Sequence, residues 1–135
     1  MDMPASAHTE TNHSGFLSPH EPGPSSICEA LLENPSGAGI TWLSGKGEQK
    51  IVERSTLLSH VASLLELLQA NGLQSGGRVL ILLPTSPLYL ASVLAIWFGG
   101  GVSIPLAHSG QSRSNHLWTQ RLQHVLRTAG PSVIL

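Results

Sequence analysis

RVLILLPTSPLYLASVLAIWFGGGVSIPL, residues Arg78 to Leu106, is the stretch whose punctuation decides the fold. Val79 to Leu83 is an unbroken apolar run. A strand with one wet face alternates polar and apolar residues, whereas a strand covered on both faces, usually a parallel one, reads as this run does. Pro84 to Pro87 interrupts it, with Ser86 placed as a helix N-cap and Pro87 at the first helical position. Leu88 to Phe98 then predicts an apolar helix that Gly99, Gly100 and Gly101 terminate. Val102 to Leu106 resumes as a strand. The order strand, helix, strand is one βαβ crossover.

The same stretch has a competing reading, because Val79 to Ser112 contains no Asp, Glu, Lys or Arg. A membrane-spanning helix needs roughly 20 consecutive apolar residues. Pro84, Pro87 and the three glycines cut this segment into shorter pieces, so a buried α/β core is the expectation and a membrane span is not.

The chain has 135 residues and a formal net charge of −1, which suits one domain and gives no footprint for nucleic acid. Cys28 is the single cysteine, so no internal disulfide framework exists and a reducing compartment fits. No signal peptide is apparent at the first residues, and a cytoplasmic location is the expectation. The placing of carboxylates says more than their number. Asp2 is the only aspartate and Glu66 the last acidic residue, so Leu67 to Leu135 carries Arg78, Arg113, Arg121 and Arg127 without an acidic side chain. A carboxylate general base, or a Mg²⁺ site built on carboxylates, cannot be assembled within that half.

Upstream, residues 1–24 are rich in Ser, Thr, His, Pro and Gly and read as a disordered leader. His8, His13 and His20 lie there without a metal-ligand spacing, and read as solvated. Ser26 to Glu29 has the form of a capping box for a short helix, Ile27 to Glu33, which Asn34-Pro35-Ser36-Gly37 stops. Gly39 to Leu43 and Gln49 to Val52 are strand-like runs around Ser44-Gly45-Lys46-Gly47. That turn pairs glycines with lysine, yet lacks the length, the hydroxyl residue and the helix of a phosphate loop; a hairpin turn is the better reading.

Ser55 is the predicted cap of a helix over Thr56 to Asn71, stopped by Gly72. Leu57, Val61, Leu64 and Leu68 form its stripe, widened by Leu58, Leu65 and Ala62, with His60 on the exposed flank. The stripe is too short for a coiled coil and suits packing on a sheet. Gln74 to Gly77 is a turn into the central strand, and Ala107 to Ser114 a polar loop. Asn115 to Ala129 is predicted helical, with Leu117 or Trp118, Leu122, Val125 and Leu126 on one side. Arg113, Arg121, Arg127, His116 and His124 lie off that side and read as a solvated face rather than a phosphate- or RNA-binding patch. Gly130-Pro131 ends the helix, and Ser132 to Leu135 begins another strand. No Gly-x-Ser-x-Gly elbow is present, which argues against a hydrolase. The sum is an α/β fold: a partial doubly wound parallel sheet with flanking helices, preceded by a β-hairpin. The last strand stops where more chain is expected, so the sequence reads as the first part of a larger domain.

In order and spacing, residues 26–135 resemble the N-terminal part of the adenylate-forming (AMP-binding) superfamily. That group comprises acyl-CoA synthetases, fatty acyl-AMP ligases and peptide-synthetase adenylation domains. Leu57 to Gly72 is similar to the family's first helix, and Gly76-Gly77-Arg78-Val79 to its Gly-Asp-x-Val entry. Trp97 to Leu106 resembles its Ala-Gly-x-x-x-x-Pro strand, and Arg121 to Leu126 with Val133 to Leu135 the next helix and strand. Arg121-Leu122 and Ala129-Gly130-Pro131 resemble the fatty acyl-AMP ligase branch most. The sequence departs from the pattern at Gly77, in the aspartate slot, at Arg54, in a tyrosine slot, and at the alanine of the Ala-Gly pair, which is glycine.

The resemblance implies an N-terminal portion, residues 25–135, of a ligase that joins ATP and a fatty or other carboxylic acid into an acyl-adenylate. The acyl group then passes to CoA or a carrier protein. ATP and Mg²⁺ are the implied cofactors of the complete family member, whose phosphate loop, nucleotide contacts and C-terminal lysine come later than residue 135. For this chain alone the expectation is scaffold without activity, with no catalytic, cofactor-binding or metal residue and with the remainder of the ligase domain as partner. The alternatives are a non-catalytic α/β interaction module, or a decayed remnant of such a ligase.

Overall fold

A computed structural model describes residues 26–107 and 115–135; the expected leader and most of the loop after Ala107 lie outside them. Ser26 opens α1 (Ile27–Glu33), its Oγ accepting from the Glu29 N–H at 3.2 Å as the capping box predicts. β1 (Ile40–Leu43) and β2 (Gln49–Val52) form an antiparallel hairpin with Ile40 opposite Val52. Its turn closes on Ser44, whose backbone N–H donates to the Glu48 carbonyl at 2.8 Å while its Oγ accepts from the Lys46 and Glu48 N–H groups. A strand, and not a helix, follows the glycines, as a hairpin requires.

α2 (Arg54–Ala70) begins two residues earlier than a cap at Ser55 predicts. Its N-cap is Glu53, which makes no side-chain cap bond. β2 ends at Val52, so the chain must turn at once, and Ser55 falls inside the first turn with its carbonyl accepting from Ser59 Oγ. Leu57, Val61 and Leu68 are buried and Leu64, Leu58 and Leu65 partly so, but Ala62 is exposed. At about 100° per residue, Ala62 lies roughly 130° round from the centre of the stripe, beyond the width that packs.

The C-terminus of α2 is a Schellman motif. Gly72, at φ +95°, donates to the Gln69 carbonyl, and Leu73 donates to that of Leu68. Buried Leu73 is the apolar residue that accompanies such an ending. α3 (Pro87–Phe98) repeats the device: Gly100, at φ +70°, donates to Trp97, and Gly101 to Ile96. Its start follows the sequence, with Pro87 in the first turn and Ser86 Oγ accepting from the Tyr89 N–H at 3.1 Å.

β3 (Arg78–Ile81), β4 (Val102–Pro105) and β5 (Val133–Ile134) make a parallel sheet in the order β4-β3-β5, shorter strands than the apolar runs suggest. β3 is the centre, with Val79, Leu80 and Ile81 fully buried. Alternation along the strand sends Val79 and Ile81 to the face packed by α2 and α3, where Ala91, Leu94, Ala95 and Ile96 complete the main core. Leu80 points to the opposite face. The right-handed rule for crossovers brings α4 (Asn115–Ala129) to that side.

This second face is incompletely covered, although the sequence puts the apolar residues of α4 on one side. Trp118, Leu122 and Val125 are half-buried, but Leu117 is 54% exposed, Leu126 37% and the neighbouring Ile134 53%. The main core already uses α2 and α3, so the described elements supply nothing further to lie over α4. No helix among the described residues is long and apolar enough to cross a membrane.

Candidate functional site

Parallel strands β3 and β4 end side by side, with Ile81 opposite Pro105. The Leu106 N–H extends the pairing by donating to the Ile81 carbonyl at 3.0 Å. Open α/β sheets collect ligands outside the carboxyl ends of their strands, because the loops leaving there diverge and leave a crevice. Here the crevice holds about 240 Å³ and is lined by Leu83, Pro84, Thr85, Tyr89, Pro105, Leu106 and Ala107. Ser86 and Pro87 fix the start of α3, and so place Tyr89 in its first turn beside the β4 exit. The lining side chains are mostly apolar apart from the hydroxyls of Thr85 and Tyr89, while main-chain groups make the surface about as polar as apolar. Such a lining can seat a small neutral or acyl-like group, but cannot balance a developing charge.

A larger cleft of about 570 Å³ lies between Pro35, Ser36, Gly37, Gly39, Glu53, Arg54 and Ser55. Its cation is already engaged, since Arg54 Nη1 donates to the Asn34 carbonyl at 2.7 Å. The loop packs so closely on that guanidinium that a Cβ at Gly37 would come within 2.8 Å of Nη1.

Mg²⁺-ATP, the cofactor implied by the resemblance, can be tested against both linings. Phosphoryl charge is stabilised by lysine, Mg²⁺ held on oxygen ligands, and backbone amides in a loop leading into a helix. The 240 Å³ crevice offers no charged side chain, and the larger cleft offers one carboxylate and one committed arginine. Neither set fits a triphosphate with its metal. Among the described residues no group of three or more His, Cys, Asp or Glu is placed to hold a metal ion. His60, His116 and His124 are exposed, and His116 Nε2 meets Gln120 Nε2 at 3.0 Å within α4. Burial, and then the nearby Glu29 carboxylate, push the Cys28 thiol above its ordinary pKa, so it is held protonated rather than activated.

Two side chains tie α4 to the sheet by hydrogen bonds that the sequence reading did not foresee. Arg78 Nη1, at the start of β3, donates to the Ala129 carbonyl at 2.9 Å, and Trp118 Nε1 donates to the Ala107 carbonyl at 2.6 Å. A cation beside the last carbonyls of a helix also opposes its dipole. Fifty-one residues separate Arg78 from Ala129, so no local pattern could reveal the pair.

Comparison with known proteins agrees with this architecture. The family described as AMP-binding enzyme matches residues 43–135. The long-chain-fatty-acid–CoA ligase of Bacillus subtilis (strain 168) is 30% identical over an alignment of 124 residues that covers 87% of this chain and 20% of that protein. A structure among the fatty acyl-adenylate ligases from E. coli and L. pneumophila superposes with a TM-score of 0.70 at 25% identity, over 79% of this chain and 20% of its own. McyG A-PCP, complexed with phenylalanyl-adenylate, gives a TM-score of 0.66 at 17% identity, over 79% and 17% respectively, a likeness of fold. The chain thus spans about a fifth of the length of the relatives it matches. By the family match over most of its length and the parallel sheet that matches theirs, this chain belongs to the AMP-binding enzyme family.

Proposed function

We propose that this chain supplies the opening portion, residues 25–135, of an adenylate-forming ligase domain and acts in it as scaffold. The complete protein joins ATP to a fatty or other carboxylic acid as an acyl-adenylate, then transfers the acyl group to CoA or to a carrier protein, in the cytoplasm. The similarity to a long-chain-fatty-acid–CoA ligase and to fatty acyl-adenylate ligases supports the acid and the adenylate. The carrier-protein alternative is supported by the fold shared with McyG A-PCP. The observation that carries the reading is the family match from residue 43 onwards, on a sheet whose strand-end crevice has no phosphate-handling chemistry. Within the complete domain, β3 and β4 present the small uncharged crevice as one wall for an acyl or pantetheine-like group. The charge-handling groups come from the other four-fifths.

ATP–pyrophosphate exchange tests both halves of this proposal. The full 135-residue chain with palmitate is expected to give no exchange above buffer. A chimera in which it replaces the matched segment of the Bacillus ligase is expected to keep acid-dependent exchange. Exchange by the chain alone refutes the scaffold role. A folded, soluble chimera without exchange refutes the family function.

A further inference from the structure

Of the asparagines in the chain, Asn71 alone precedes a glycine, and that pair carries its own chemistry. The Gly72 nitrogen can attack Asn71 Cγ. A new N–C bond closes a five-membered succinimide, and the side-chain nitrogen leaves with the Gly72 proton as ammonia. Water then opens the ring at either carbonyl, giving aspartate or the isomer whose backbone runs through the side chain. No other reactant is needed, and glycine, lacking a Cβ, crowds the attacking nitrogen least.

The closed end of α2 opposes the first step. The Gly72 N–H donates to the Gln69 carbonyl at 3.1 Å and Asn71 Nδ2 to the Leu67 carbonyl at 2.8 Å, so attacking and leaving nitrogens are both engaged. At ψ 18°, the Asn71 backbone turns the Gly72 nitrogen to the side of the Cα–C bond away from Cβ, whereas ring closure needs the two on the same side. Leu73 keeps this turn shut. Its N–H donates to the Leu68 carbonyl at 2.9 Å, and its buried side chain sits against Gly77, Gly99 and Gly101, where an added Cβ would meet it at 2.9–3.1 Å. Asn71 and Gly72 are themselves exposed, so opening the turn uncovers little apolar surface beyond Leu73. Such segments open far more often than a whole domain unfolds.

We propose that Asn71 is a deamidation site, silenced while the C-terminal turn of α2 is closed and converted in chains whose turn has opened. Conversion is one-way and makes reclosure harder. The product loses the donor to the Leu67 carbonyl. Its carboxylate stands beside the last carbonyls of α2, where the helix dipole disfavours negative charge. The isomer adds a backbone atom between the Leu68 carbonyl and the Leu73 N–H that must meet it. This inference stands apart from the ligase reading and falls or survives without it.

The test holds the full chain in neutral phosphate buffer and in urea, and follows the tryptic peptide of residues 55–78, in which Asn71 is the only asparagine. Chromatography with mass spectrometry separates amide, acid and isomer. Conversion in buffer is expected to be at least about tenfold slower than in denaturing urea, and to quicken in urea too dilute to unfold the chain. Leu73→Ala should raise the rate several-fold in buffer and leave it unchanged in denaturing urea; if that variant does not fold, the urea series on the wild type still decides. Asn71→Asp should melt several degrees below the wild type. Absence of conversion in denaturing urea, conversion in buffer as fast as in urea, a rate that follows only the globally unfolded fraction, or an Asn71→Asp protein that melts with the wild type overturns the proposal.

Discussion

Two positions where this chain departs from the family pattern can be restored, and the structure assigns them opposite consequences. At Gly77, in the aspartate slot, an added Cβ would lie 2.7 Å from the Gln74 carbonyl oxygen and 3.1 Å from Leu73 Cδ1. That oxygen cannot retreat freely, because it accepts from the Gly77 N–H at 2.8 Å and so closes the turn into β3. Gly77→Asp should therefore lose about 1 kcal/mol of turn hydrogen bond and incur roughly 1–3 kcal/mol of overpacking. A gain of about 0.4–1 kcal/mol from the less flexible unfolded chain offsets part of this. At roughly 4–8 °C per kcal/mol for a domain of this size, the melting temperature should fall by about 4 °C or more. At Gly99, the slot for alanine, an added Cβ would meet Leu65 Cδ1 at 2.9 Å and Leu73 Cδ2 at 3.0 Å, the free ends of side chains. These can give way by a few tenths of an ångström, and Gly99 has an ordinary φ of −79°. Gly99→Ala should stay within about 1 kcal/mol of the wild type. Thermal and urea unfolding of the full chain, followed by circular dichroism at 222 nm, read both variants. A Gly77→Asp protein that melts with or above the wild type, or two variants that melt together, would refute the reasoning.

Leu80→Ala should cost about 2–5 kcal/mol in urea unfolding, because Leu80 is fully buried in the central strand, whereas Leu117→Ala should stay within about 0.5 kcal/mol. Ser86→Ala removes the cap of α3 and should cost about 1 kcal/mol, with Ser86→Gly closer to the wild type. The Cys28 thiol should react with a disulfide probe at pH 8 more slowly than a free cysteine in buffer, and urea should abolish the difference. Folding raises the pKa of this group, so its contribution to stability is present below the unfolded-state pKa and is lost as pH rises through the higher folded value. Cys28→Ser should flatten that alkaline slope.

Local chemistry in the sequence was sufficient where one segment determines its own shape. Ser26, Ser86, Gly72 and Gly100 each act within one helical turn, and the helix ends they mark are found in place. The parallel sheet was legible from Val79 to Leu83 for a related reason, since a strand buried on both faces leaves no room for alternation. Ser55 misled because a better cap residue lost to the position of the preceding strand, a matter of where β2 ends. Ala62 misled, and the exposure of Leu117 and Leu126 was not legible, because periodicity states which face is apolar and is silent on whether anything covers it. The clefts were not legible at all. Thr85, Tyr89 and Pro105 share a crevice only because β3 and β4 pair in register. Arg78 and Ala129 meet only once the crossover through α4 has been made.

β3 is both the earliest parallel strand in the chain and the middle of the sheet. During synthesis, therefore, its partners leave the ribosome after it, first to one side and then to the other. Each newcomer finds a template already standing and needs no opening of a finished pair. A ribosome that pauses after Pro105 exposes one half-satisfied margin of β3, and only the arrival of Val133 and Ile134 removes it. In the interval between those two events one margin of β3 stays open to pairing with a stranger.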